Sequence, residues 1–139
     1  MLFGRYEHNL DAKGRIFVPV KLRDKLGSSF IAATVLDSCV TLYSIEEWDK
    51  LIEKISQEPM TKARRLVRHL SANAQEVEVD AQGRILLPKH LIERAGLTKE
   101  ATVIGAGNRA EIWDRKTFEE LDKQMTDEVV ESDFIELGF

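Results

Sequence analysis

Asp11-Ala-Lys-Gly-Arg-Ile-Phe-Val-Pro19 and Asp80-Ala-Gln-Gly-Arg-Ile-Leu-Leu-Pro88 are one pattern written twice, 69 positions apart. The match runs on through Leu22 with Leu91 and Gly27 with Gly96, and eight of these 17 paired positions are identical. After one residue of slippage, Leu42-Tyr43 meets Ile112-Trp113, Trp48 meets Phe118 and Leu51 meets Leu121. The chain therefore carries two copies of a unit of roughly 60 residues, too few for a solenoid. A pseudo-twofold pair of half-domains is the simpler expectation.

Each copy reads locally in the same order. Leu2–Leu10 and Ala74–Val79 alternate as strands, with Val77 and Val79 on one face and Glu76 and Glu78 on the other. The Asp-Ala-Lys/Gln-Gly step is turn chemistry: the Asp side chain accepts from backbone N–H groups two or three residues on. Gly14 and Gly83 are free to take positive φ. Arg15 and Arg84 open short apolar strands that stop at Pro19 and Pro88. Short helices over Val20–Leu26 and Lys89–Ala95 follow, closed by Gly27 and Gly96. Two β-rich runs come next in each half, Phe30–Leu36 with Val40–Tyr43 and Ala101–Ala106 with Ala110–Trp113. Gly105-Ala-Gly-Asn108 supplies the hairpin loop of the second pair.

Both halves end in helix. Ser44 is a good N-cap, and Trp48, Leu51, Ile52 and Ile55 keep a 3.6 period up to Pro59. Asp114 caps the matching helix, whose apolar stripe is Phe118, Leu121 and Met125. Thr61–Ala72 has no counterpart at the level of sequence. It carries Lys62, Arg64, Arg65 and Arg68, while the helix before it has a net charge of −3. An antiparallel pairing across Pro59 would match the two. The organisation read from this is 1–58 as the first half, 59–73 as a connecting basic helix, 74–125 as the second half and 126–139 as an acidic, apolar tail. That tail is either frayed or docked on something.

Composition narrows the function. Over 139 residues, 43% apolar and 32% charged, a core can form and disorder is excluded. The single cysteine, Cys39, excludes an intramolecular disulfide and a multi-thiolate metal site. No apolar run approaches the ~20 residues of a membrane span, and the N-terminus lacks a signal-peptide layout, so a soluble intracellular protein is expected. The net charge of −4 hides an asymmetry: residues 1–27 sum to +3 and residues 95–139 to −6. An anionic partner is therefore compatible with the total.

The strand–Asp-x-x-Gly-Arg–strand–Pro-x-x-Leu unit resembles the half-barrel of AbrB-like (SpoVT/AbrB) DNA-binding domains. Two tandem copies behind Met1-Leu-Phe-Gly-Arg-Tyr-Glu-His-Asn-Leu-Asp11 resemble the MraZ family in particular, over essentially the whole chain. The resemblance implies a mainly β fold with attached helices, a swapped-hairpin AbrB-like β-barrel formed by two pseudo-twofold repeats. It also implies a cytoplasmic, nucleoid-associated transcriptional regulator of cell-division and cell-wall genes, assembled as a homo-oligomeric ring, with double-stranded DNA (promoter repeats) as partner. No cofactor, metal or membrane belongs to that picture. In the second copy Gln82 stands where Lys13 stands in the first, which argues against equal contributions to DNA.

The residues support this reading on physical grounds. An Arg just after a tight turn projects from a rigid edge, where its planar fork can grip phosphate or guanine in two places. Arg15 and Lys13 lead the candidates, Arg84 follows, and Arg5, Lys21 and Arg23 are phosphate-positioning candidates. Asp11, Gly14, Asp80 and Gly83 support the turns. The competing reading of each Asp–Arg pair is a brace that only holds its turn. The helix 61–70 could cross a phosphate backbone. His8, His69 and His90 have no ligand spacing, Cys39 no activating neighbour, and Trp48 and Trp113 suit the core. An antitoxin that clasps a toxin with its tail is the same-fold alternative. A small enzyme would need convergent His, Cys and carboxylate groups that the spacing does not supply.

Overall fold

The computed structural model describes all 139 residues. Its strands are β1 (Arg5–Asn9), β2 (Arg15–Phe17), β3 (Ser29–Ala33), β4 (Val40–Tyr43), β5 (Ala74–Glu78), β6 (Arg84–Leu86), β7 (Glu100–Gly105) and β8 (Ala110–Asp114). Its helices are α1 (Val20–Leu26), α2 (Ile45–Ser56), α3 (Met60–Ala72), α4 (Lys89–Arg94), α5 (Arg115–Lys123) and α6 (Asp127–Glu136). Six strands form one antiparallel sheet in the order β1-β7-β8-β4-β3-β5, and β2 pairs with β6 in a separate ribbon.

The order shows an exchange between the halves. β1, from the first copy, pairs with β7 of the second, and β5, from the second, pairs with β3 of the first. Two pairings join equivalent positions: Ile16 faces Ile85 in the ribbon, and Thr41 faces Glu111 at the centre of the sheet. The pseudo-twofold axis of the repeat therefore passes through both. Ile16, Val18, Leu22, Ile85, Leu87 and Leu91 from the repeated motif are buried with Phe30, Leu42, Val103 and Ile112 in one core. Truncating Ile16 or Ile85 to Ala would cost about 2–5 kcal/mol. The exposed edges, β1 and β5, alternate Arg5, Glu7, Glu76 and Glu78 outward, which blunts further strand addition.

Three local readings change. The strand expected to reach Leu36 stops at Ala33, and Leu36 is almost fully exposed in the reversal that returns the chain to β4. The first strand is shorter than Leu2–Leu10: Leu2 forms only an isolated bridge to Gly107. The tail, open between frayed and docked, is a helix, with the Thr126 side chain accepting from Val129 N and Asp127 and Glu128 in the first turn. It follows α5 as α3 follows α2. The second of these pairs of helices packs together, whereas α6 buries no residue. The Ser44 and Asp114 caps form as expected, and the Tyr43–Trp48 and Trp113–Phe118 ring pairs repeat one contact in both halves, each at 5.9 Å.

Candidate nucleic-acid interface

The two Asp-x-x-x-Arg segments are built alike. Asp11 Oδ1 accepts from Lys13 N (3.0 Å) and Arg15 N (2.8 Å), while Oδ2 accepts from Arg15 Nε at 2.7 Å. Backbone bonds close the turn: Gly14 N donates to Asp11 O and Asp11 N to Arg15 O. In the second copy Asp80 Oδ1 takes Gln82 N and Arg84 N, both at 2.9 Å, and Oδ2 takes Arg84 Nε at 3.2 Å. The side chain thus reaches the N–H groups two and four residues on, not the third. These backbone donors, led by the residue-15 and residue-84 N–H groups, hold both carboxyls below their ordinary pKa. Their contribution to the turns is present at neutral pH and is lost only as pH falls through those lowered values.

The antiparallel ribbon sets the two turns side by side. Leu87 N donates to Gly14 O at 2.8 Å, and Val18 N to Gly83 O at 3.0 Å, so each turn is hydrogen-bonded to the strand leaving the other. Gly14 has φ +86°, and a Cβ there would sit 3.0 Å from Leu87 O and 3.2 Å from Ile92 Cδ1. Gly83 has φ +81°, and its Cβ would lie 2.7 Å from the Phe17 ring and 3.1 Å from the Arg23 guanidinium. The absence of a side chain is required twice over at each position.

Symmetry stops at the charged groups. Arg15 uses Nε on Asp11, and its two terminal nitrogens make no hydrogen bond within the chain. Lys13 is exposed beside it. Arg84 is more fully engaged: Nη2 reaches Gln82 Oε1 at 3.4 Å and Nη1 approaches Asp11 Oδ2 at 3.9 Å. The Asp11 carboxylate therefore faces both arginines. That contact between the halves depends on the pairing of β2 with β6, which periodicity does not report.

The remaining candidates separate. Arg23 donates from Nε to Val18 O at 2.7 Å and lies over the Phe17 ring, with its guanidinium against Gly83. It thus belongs beside the second turn, although it comes from the first copy. Lys21 is exposed on α1. Arg5 is at the end of β1 remote from the turn, over the Phe118 ring and 3.4 Å from Asp122 of α5. The antiparallel strand carries it away, so it does not join Arg15. One cation escaped the sequence reading: Lys89, exposed after Pro88, shares a shallow groove with Lys13, Glu76 and Leu86. The repeat gave no signal for it, since Lys89 stands at the position of Val20.

Cys39 and the Glu111 carboxylate have structural roles. Cys39 is buried, and burial pushes its thiol up to about 12, far from a reactive thiolate. Trp113 Nε1 donates to Glu111 Oε1 at 3.0 Å and Arg109 holds Oε2 at 2.9 Å, which satisfies the buried carboxylate. No group of three or more His, Cys, Asp and Glu is placed to hold a metal ion, and no helix is long and apolar enough to cross a membrane.

A mainly β domain of two strand-exchanging halves, each presenting an Asp-braced Arg turn at a common ribbon, is of the AbrB-like class. The family model described as "MraZ protein, putative antitoxin-like" matches residues 1–69 and again 70–134. The chain belongs to the MraZ family. It is 46% identical to the "Transcriptional regulator MraZ" of Caldanaerobacter subterraneus subsp. tengcongensis, across 88% of this chain and 87% of the relative. The protein of the same name from Acetivibrio thermocellus is 44% identical across 99% of both chains. That from Heliobacterium modesticaldum is 48% identical across 84% and 82%.

Proposed function

We propose that this chain is a sequence-specific, double-stranded-DNA-binding transcriptional regulator without catalytic activity, working in the cytoplasm on the nucleoid. The observation that carries the reading is the first turn: an Arg15 guanidinium held through Nε, with both terminal nitrogens unpartnered, beside an exposed Lys13. A guanidinium so fixed loses little freedom on gripping a base edge or phosphate, and the terminal pair suits bidentate contact. Arg84 with Arg23 forms the second, weaker contact, and Lys21 positions on phosphate. The name shared by the relatives supports the regulator reading, and the family resemblance points to promoter repeats upstream of cell-division and cell-wall genes.

Assembly belongs to the same reading. One ribbon offers few phosphate contacts, so useful affinity requires several copies on one duplex, and a closed homo-oligomer, a ring, provides them. The test is a salt-titrated binding assay on promoter fragments and on random DNA of equal length. Tighter binding to the promoter, with affinity falling steeply as salt rises, is expected. Equal affinity for both DNAs overturns sequence specificity, and absence of salt-dependent binding overturns the DNA reading.

A further inference from the structure

The helices α3 and α6 carry opposite charges that nothing in the chain answers. Lys62, Arg64, Arg65 and Arg68 give α3 a charge of +4, and none of them joins an ion pair, although α2 with its surplus of carboxylates packs alongside. The α2–α3 charge match expected from the sequence is therefore not made. Asp127, Glu128, Glu131, Asp133 and Glu136 give α6 a charge of −5, likewise with no ion pair.

Each helix also presents unburied apolar surface. On α3, Met60 and Leu66 are exposed, and Met60, Ala63 and Val67 line a groove with Arg64 and Arg68, closed by Ser56 at the end of α2 and Glu58 in the turn between the helices. On α6 and the three residues after it, Phe134, Ile135, Leu137 and Phe139 are all more than half exposed, and Phe134 and Phe139 pack edge to face at 5.6 Å. Apolar surface of this extent, ringed by charge, marks an interaction site. The two helices do not pack together within one chain. α2 and α3 lie on the β3–β4 side of the sheet, and α6 is tied to α5 on the β7–β8 side by only Gln124–Thr126.

We propose that α6 of one copy docks in the α2–α3 groove of a second copy of this chain. The lengths agree, 10 residues against 13, or about 15 Å against 20 Å. Because donor and acceptor faces are different surfaces, at opposite halves of the sheet, the contact is head to tail, and successive copies close into a ring if the rotation permits. This rests on the self-assembly part of the functional reading and gives it a specific contact.

The test uses the full chain and two variants changed only at exposed positions. Arg64→Glu with Arg68→Glu reverses α3, and Glu128→Lys with Glu131→Lys reverses α6. Mass is read by light scattering at micromolar concentration, and melting checks the fold. Wild type is expected to assemble and each variant to fall to monomer. An equimolar mixture of the two should reassemble, since each then supplies the partner that the other needs. Retained assembly in both variants, or a mixture that stays monomeric, overturns the α6 contact while leaving self-assembly standing. Variants that stay assembled but lose DNA would assign the α3 cations to phosphate and equally overturn it. A monomeric wild type removes the self-assembly reading and this contact together.

Discussion

Removing the Arg15 side chain deletes one ion pair at 2.7 Å from a carboxylate that keeps two backbone donors. The pair is about one-third exposed, so its loss should change stability by no more than ~1 kcal/mol. For Arg15→Ala we therefore expect a nearly unchanged melting temperature with a fall in DNA affinity of ~1–3 kcal/mol per site, enough across many copies to abolish detectable complex. Arg84→Ala should cost less affinity, because that guanidinium is already engaged by Gln82 and Asp80. Arg23→Ile is an informative companion. The second copy places Ile92 at that position, against Gly14, so the fold has room for it, and affinity should drop while melting changes little. Melting curves beside titrations of promoter DNA decide all three. A large loss of stability in Arg15→Ala with a proportionate loss of binding would make the Asp11–Arg15 pair a brace alone.

At the scale of the element, the turn and the ribbon fold as one object. Gly14→Val would force a β-branched side chain to φ +86° and toward Leu87 O at 3.0 Å, in the strand leaving the other turn. Thermal melting should fall well beyond the Arg15→Ala change, and an unchanged Tm would contradict this geometry. Much of this was legible in the sequence, because Asp, Gly, Arg and Pro each write a local instruction: a side-chain acceptor, a positive φ, a strand start, a stop. The pairing of β1 with β7 was not legible from alternation, which marks a strand without naming its neighbour. Resemblance to a known family implied the swap. The separation of Arg5 from Arg15 was hidden for the same reason, since nearness in sequence says nothing about the direction in which β1 runs. The helix α6 was half legible: Thr126-Asp127-Glu128 is a helix start, but Val129, Val130, Phe134 and Ile135 trace no single stripe.

For the whole molecule, several copies of the Arg15 turn on one face of an assembly should read half-sites repeated along one side of the duplex. Spacing near one helical turn, about 10 bp, is expected. Inserting about 5 bp between two half-sites moves the second to the opposite side, and band-shift titration should show a strong loss of affinity. Undiminished binding to the shifted operator would contradict multivalent reading.

The exchange of outer strands also sets a schedule for synthesis. β1 is made first, yet its only ladder partner is β7, ending at Gly105, and β3 waits for β5 on its outer side. Neither copy of the repeat closes its own sheet, so the nascent first half leaves the ribosome with open strand edges and an uncovered apolar face. The pairings that complete the sheet arrive late and at long sequence separation, which slows folding. The doubled motif therefore behaves in the cell as a single cooperative unit, whose earliest residues stay exposed to chaperones and proteases until the second copy is nearly complete.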